Sequence, residues 1–342
     1  MSAAASDLTP RSDLTLRMGT RGSLLAKTQS GWVTEQLKAA RGVTTHTTII
    51  STLGDRILDA PLSQVGGKGL FVREIEDALL QETIDYAVHS LKDLPADQPE
   101  GLVLAALPPR EDPRDVLIPR SDLVAACASR SNPLDALPQG ARIGTSSLRR
   151  MAFLKAARPD LDVVPLRGNV DTRLRKGRDG EGGLLAVVLA AAGLKRLGWL
   201  DPATMFALPV EAMLPAVGQG ILAIESRAAD GPTLALLQSL DHAPTRAAAL
   251  VERGFLGAVG GGCQVPLACH AWETEPGSGR LTVHACIAEP DGSAILRDQG
   301  EIEASASAEQ LASLGAAMAQ RLLQRGGDVI LERCMAAGIL KV

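Results

Sequence analysis

The stretch Pro108-Pro109-Arg110-Glu111-Asp112-Pro113 decides how this chain is read. Three prolines and three charged residues in six positions interrupt regular structure. Proline fixes φ, lacks an N–H and biases the residue before it away from helix. The same pattern lies on both sides of this break. Upstream, Leu14–Met18, Thr44–Ser51, Tyr86–Val88 and Leu102–Leu107 carry strand signals, while Leu24 to about Ala40 and Leu70–Leu80 carry helical apolar spacing. Downstream, strand signals at Ala141–Gly144, Asp162–Leu166 and Leu184–Leu189 alternate with helical ones at Ser147–Ala157, Thr172–Gly177 and Ala190–Leu197. Leu214-Pro215-Ala216-Val217-Gly218-Gln219-Gly220 reads as a return crossing. Alternating strands and helices predict α/β lobes with mainly parallel sheets. Two similar lobes joined by two crossings predict a hinged cleft, with ligand at the strand ends.

From about Asp241 the texture changes. A helix is expected over Thr245–Leu256 and strands over Leu267–Trp272, Arg280–Ile287 and Ala294–Glu303. A helix over Ala308–Leu323 follows, with another reaching Cys334. This predicts a small α+β third domain. The expected division is residues 1–110 with 218–240, residues 111–217, and residues 241–342. About the first dozen residues are expected to be disordered.

Composition narrows the function. A formal net charge of -4 provides no bulk basic field for nucleic acid, and 2% aromatics provide few stacking platforms. Five widely spaced cysteines without a C-x-x-C argue against a disulfide framework or structural zinc and for reduced thiols in a cytoplasmic protein. Cys263, Cys269 and His270 lie close in sequence, but no metal is expected, because the group lacks a defined fourth ligand. The N-terminus lacks the basic and apolar regions of a signal peptide. The longest apolar stretch, Gly182–Leu194, is shorter than a membrane span, so no membrane partner is expected.

Any anion binding must come from local cation clusters. Arg21 and Ser23 lie in a turn opening the first helix, and Lys92 follows a short strand. Arg149 and Arg150 follow the capping run Thr145-Ser146-Ser147, and Arg167, Arg173 and Arg196 extend the set. Helix N-termini favour anions through free N–H groups and a partial positive charge, and arginine adds a planar fork matched to carboxylate. Single surface salt bridges are the alternative for each arginine. Neighbouring helical residues point about 100° apart. Arg149 and Arg150 are therefore expected to diverge, one to the cleft and one to a domain interface. Two glycine patterns are weak. Gly66-Gly67-Lys68-Gly69 lacks the first glycine and the Ser/Thr of a P-loop, and Gly218-Gln219-Gly220-Ile221-Leu222-Ala223 lacks a clear strand before it.

Asp93, beside Lys92, is the best candidate for stabilising a cation or moving a proton, with a helix N-cap as the structural alternative. Cys263, behind Gly260-Gly261-Gly262, is an open-loop thiol, either reactive or without a role.

These segments resemble porphobilinogen deaminases from about Leu14 to Glu332. The strings are Gly54–Asp59, Gly66–Phe71, Ala87–Pro95, Arg110–Asp115, Gly144–Arg150, Leu166–Val170, Leu214–Gly220 and Gly261–Pro266. The resemblance implies lobes like those of periplasmic binding proteins, and a dipyrromethane cofactor joined to Cys263 by a thioether. It implies head-to-tail condensation of four porphobilinogen molecules to hydroxymethylbilane with loss of ammonia. Asp93 matches the aspartate that stabilises the azafulvenium cation. Lys92, Arg149 and Arg150 match residues of catalysis. Ser90, Ser146 and Arg173, with those four, match cofactor-binding positions. Arg21, Ser23, Lys68, Arg167, Arg173 and Arg196 match positions for substrate carboxylates. Gln64 departs from a common lysine. The family implies a monomer acting on a small molecule. A receptor-type anion binder and a nucleotide-dependent enzyme are the competing readings.

Overall fold

The computed structural model describes residues 15–56, 69–260, 265–275 and 277–336. Cys263, Lys68, Gln64 and the N-terminal dozen lie outside them. Thirteen strands are described: β1 (Thr15–Thr20), β2 (Thr44–Ile49), β3 (Tyr86–Ser90), β4 (Leu102–Ala106), β5 (Asp115–Pro119), β6 (Arg142–Gly144), β7 (Asp162–Val164), β8 (Ala186–Ala190), β9 (Phe206–Ala207), β10 (Leu222–Arg227), β11 (Leu267–Glu273), β12 (Arg280–Ala288) and β13 (Ile295–Glu303). They form three sheets: β2-β1-β3-β10-β4, β7-β6-β8-β5-β9 and β11-β12-β13. The first two belong to the two α/β lobes, and the third lies in a small α+β unit.

The lobe sheets are mixed, which corrects the expectation of mainly parallel ones. β1 runs parallel to β2 and β3, but β10 is antiparallel to both β3 and β4. In the second lobe β6 is parallel to β7 and β8, while β5 is antiparallel to β8 and β9. The reason lies in the crossings. β5 follows Pro108–Pro113 and β10 follows Leu214–Gly220, so each crossing delivers the antiparallel strand of the lobe it enters. These are also strands that local patterning did not reveal. All five residues of β5 are buried, Asp115 included, so it shows no inside–outside alternation.

The two crossings lie side by side. Glu111 N–H donates to Gly220 O at 3.0 Å, and Arg110 Nε donates to Gln219 O at 2.9 Å. Gly220 has φ of 90°, and a Cβ there would sit 2.4 Å from Glu111 O. Glycine is needed for that approach. The Gly-x-Gly-x-x-Ala run is therefore part of a crossing and of β10.

The third unit packs the helices Ala243–Val259 and Ala308–Leu322 on β11–β13 around Val251, Phe255, Val283, Ile287, Met318 and Leu322, each fully buried. Burial of each such side chain stabilises by about 1.5–3 kcal/mol. Glu252 of the first helix is wholly buried at the meeting point of all three units. It pairs with Arg110 of one crossing at 2.6 Å, accepts from Gly218 N–H of the other at 2.6 Å, and accepts from Ala271 N–H of β11 at 2.9 Å. The third unit is thereby fastened to both hinge strands.

Candidate active site

β3 ends at Ser90, and a single 3-10 turn covers Leu91–Asp93. Leu91 and Leu94 are each 1% exposed and pack with Leu107, Ile221 and Ala249. Leu91 N–H also donates to Ile221 O at 2.9 Å. These anchors fix the turn and leave Lys92 and Asp93 half-buried on its other side. Asp93 closes the turn and does not cap it; the N-cap position is Ser90. Neither Lys92 nor Asp93 makes a hydrogen bond or ion pair with a described residue. Burial lowers the basicity of Lys92, and Arg150 and Arg149 lower it further against the opposing charges of Asp93 and Asp115. Asp93 in the first lobe also faces Arg173 in the second.

The second-lobe contribution begins at the helix Leu148–Ala157, capped by Ser147, which accepts from Arg150 N–H. Arg149 and Arg150 are 3% and 6% exposed. Contrary to the expected divergence, both turn to one protein carboxylate. Arg149 Nη1 reaches Asp115 Oδ2 at 2.7 Å, and Arg150 Nε and Nη2 reach Oδ1 at 3.0 and 2.8 Å. A side chain several bonds long cancels the 100° between their Cα positions, and the two oxygens give each arginine its own partner. Leu214 O and Val188 O accept from the same guanidiniums, and Gln219 Nε2 donates to Asp115 Oδ1 at 3.0 Å. Arg149 Nε is buried without a hydrogen-bond partner among the described residues.

The remaining candidates divide into three groups. Arg167 and Arg173 join the cleft cluster. Arg173 Nε donates to Gly168 O at 2.7 Å. Burial brings Arg173 down to about 10, helped by Arg150 and Arg167 and opposed by Asp93. Arg21 and Arg196 are held apart from this cluster. Arg21 pairs with Asp55 at 2.5 Å and lies over the Phe71 ring at 4.3 Å. Arg196 donates to Gly220 O at 2.7 Å, and burial brings it down to about 10. The serines are already engaged. Ser23 caps the first helix, Ser90 hydrogen-bonds Gln29, and Ser146 Oγ exchanges hydrogen bonds with the backbone of Leu166. Cys269 is buried in the third unit's core and His270 lies 3.4 Å from Glu252. No metal-holding cluster occurs among the described residues.

Sequence reasoning did not single out Asp55, Asp115, Gln219 or Glu252. Asp55 and Asp115 stand inside the quoted strings Gly54–Asp59 and Arg110–Asp115, each beside arginines, and that was the available signal.

The cleft gathers Lys92, Arg149, Arg150, Arg167 and Arg173 against Asp93 and Asp115. Five cations face two carboxylates, and Asp115 is already used by the arginine pair. Such a site fits a ligand carrying several carboxylates. Residues 16–235 match the family model "Porphobilinogen deaminase, dipyromethane cofactor binding domain", and residues 247–324 match the C-terminal domain of the same enzyme. The chain belongs to the porphobilinogen deaminase family. It is 48% identical to the porphobilinogen deaminase of Brevibacillus brevis over 318 residues, 92% of this chain and 96% of that one. It is 49% identical to that of Trichlorobacter lovleyi over 318 residues, 93% and 96% of the two chains. Among solved structures it is similar to the methionine binding protein MetQ, at 12% identity and a TM-score of 0.41, covering 70% of this chain and 93% of that one. The activity is that of a porphobilinogen deaminase, a transferase of tetrapyrrole biosynthesis with a dipyrromethane cofactor. The receptor-type and nucleotide-dependent readings are set aside. No helix among the described residues is long and apolar enough to cross a membrane.

Proposed function

We propose that the cleft between the two lobes is where this deaminase condenses four porphobilinogen molecules head to tail into hydroxymethylbilane, with Asp93 as its catalytic carboxylate. One observation carries the reading: Asp93 has no described protein partner, yet stands among cations in excess of the protein's own carboxylates. A carboxylate so placed is free to face a ligand. As ammonia leaves porphobilinogen, positive charge develops on the pyrrole. Asp93 would stabilise it through the pyrrole nitrogen. Lys92, beside Asp93, would bind a ligand carboxylate. Its lowered basicity also suits it to proton transfer.

The cofactor, when bound, supplies the primer on which the chain grows. The residues present fit it, because the unused Nε of Arg149 and the free faces of Lys92, Arg167 and Arg173 suit its acetate and propionate groups. We assign its attachment to Cys263, and further carboxylate contacts to Arg150, Ser90 and Ser146. Arg21, Ser23, Lys68 and Arg196 are assigned to substrate carboxylates. Asp115 keeps the Arg149–Arg150 pair in place, and Arg196 ties the second lobe to the crossing.

We further propose three domains, 1–110 with 218–240, 111–217 and 241–342, a division supported by the three sheets. The enzyme is read as a cytoplasmic monomer acting on a small molecule, without nucleic acid or membrane. Four free, buried thiols, Cys127, Cys269, Cys286 and Cys334, suit a reducing compartment.

Intact-mass spectrometry tests the attachment. The active protein should carry the added mass of a dipyrromethane, and Cys263→Ala should carry none. An active preparation of unmodified mass would overturn it.

A further inference from the structure

Behind the Leu91–Asp93 turn lies a buried polar cluster that the reaction does not use directly. Glu225 on β10 is 0% exposed and His89 on β3 is 6% exposed. Glu225 Oε2 lies 3.1 Å from His89 Nε2. Gln98 Nε2 donates to the other oxygen, Oε1, at 3.1 Å. His89 immediately precedes the segment that carries Lys92 and Asp93, and Gln98 follows it. A single carboxylate therefore touches both ends of that segment.

We propose that Glu225 is a positioning residue for the reaction, stapling the two ends of the Ser90–Asp97 segment so that Lys92 and Asp93 stay aimed into the cleft. The inference rests on the reading of Asp93 as the catalytic carboxylate. Its physical basis is the cost of leaving a carboxylate unpaired away from water. Gln98 gives Glu225 its one described side-chain hydrogen bond, and His89 Nε2 stands beside Oε2 at 3.1 Å without completing a second, so buried away from water the carboxylate holds to these two groups. Between the two ends, Leu91, Leu94 and Ala96 anchor the segment by apolar packing, Leu91 N–H donates to Ile221 O at 2.9 Å, and Arg253 donates to Ala96 O at 2.7 Å. Apolar packing resists displacement into solvent but is not directional. The polar staple adds its direction to that of the Leu91 and Ala96 backbone hydrogen bonds.

Glu76, from the helix Arg73–Leu80, completes the cluster and is 9% exposed. Burial and the neighbouring charge of Glu225 push Glu76 up to about 7, with His89 and Arg73 opposing and Asp77 adding to the rise. A proton on Glu76 relieves the repulsion between the two carboxyl groups.

The test uses purified holoenzyme, its cofactor loading checked by intact mass, with porphobilinogen as substrate. Steady-state kinetics are combined with hydrogen exchange over residues 91–98. Glu225→Ala should lower kcat by roughly a hundredfold, the scale of an ångström's misplacement. Gln98→Ala, at a half-buried position, should lower it by roughly tenfold, the rate equivalent of one hydrogen bond. KM should stay within about threefold in both, because ligand carboxylate contacts are intact. Exchange of the Leu94 amide should accelerate. Glu225→Gln retains an acceptor for Gln98 and a polar group beside His89, so it should recover most of the lost rate.

Wild-type kcat in Gln98→Ala would overturn the staple, as would lost rate without faster exchange. A Glu225→Gln as impaired as Glu225→Ala would do the same. If Glu225→Ala does not fold, Gln98→Ala decides. Asp93→Ala separates the two levels. Full activity there removes the parent reading. An inactive Asp93→Ala beside a normal Gln98→Ala removes the staple alone.

Discussion

Replacing Asp115 by asparagine preserves its volume and removes its charge. In the native protein this carboxylate is 0% exposed and takes hydrogen bonds from Arg149, Arg150 and Gln219 at 2.7–3.0 Å. The substitution leaves two buried guanidiniums without a charged partner, one amide oxygen in place of two carboxylate oxygens, and an NH2 donor turned towards a guanidinium. Removing one partner of a buried ion pair costs about 3–5 kcal/mol. Titration gives a second figure. Burial pushes the Asp115 carboxyl up, but Arg149 and Arg150 overcome it and bring the group from 3.8 down to about 2. A depressed native value contributes stability above the unfolded value, and that stability is lost as pH falls through the native one. Roughly two pKa units correspond to about 2–3 kcal/mol. This is smaller than the mutational cost because it is already net of the burial penalty. Urea unfolding followed by tryptophan fluorescence should show Asp115→Asn weaker than wild type by about 3–5 kcal/mol near pH 7. The gap should narrow by about 2–3 kcal/mol as pH falls from 3.8 to below about 2 and the native aspartate is protonated. A gap below about 1 kcal/mol near pH 7, the value of a surface pair, would refute the reasoning. So would a gap independent of pH.

The other expectations are briefer. Glu252→Ala should cost a similar 3–5 kcal/mol or so, because it strands Arg110 and two backbone donors at the three-way junction; an unchanged thermal midpoint would contradict this. Glu76 behaves oppositely to Asp115: its carboxyl is raised from 4.5 to about 7, so its contribution is complete below 4.5 and is lost as pH rises through 7. Glu76→Gln should therefore stabilise by about 1–3 kcal/mol at pH 8 and leave stability at pH 4 unchanged, read from urea midpoints at both. Arg173→Leu should lower kcat/KM at least about tenfold by removing a carboxylate contact. Its thermal midpoint should not fall, since Arg150 and Arg167 repel it in the free site; wild-type kcat/KM would remove Arg173 from the cleft.

Much of the architecture was legible because its signals are local. Helix periodicity, β-branched runs and the two proline-marked crossings are read within a few residues. The first helix, expected from Leu24 to about Ala40, spans Leu24–Arg41. The first helix of the third unit, expected over Thr245–Leu256, spans Ala243–Val259. β5 and β10 escaped because continuous burial removes the alternation that marks a strand. The candidate site was legible as a list of cations. Its carboxylate partners were not, because no local pattern distinguishes an aspartate that will pair with arginines from one that will face water.

The sequence by itself thus determined three units, two crossings, a turn bearing Lys92 and Asp93, and an arginine-rich helix start. Tertiary structure alone decided which charges meet. Asp115 lies 34 and 35 positions from Arg149 and Arg150 and 104 from Gln219, and Glu225 lies 127 from Gln98. Such partners are brought together by the order of strands in a sheet. Once buried there, a charge finds no water to replace its partner, and so the fold fixes the pairing.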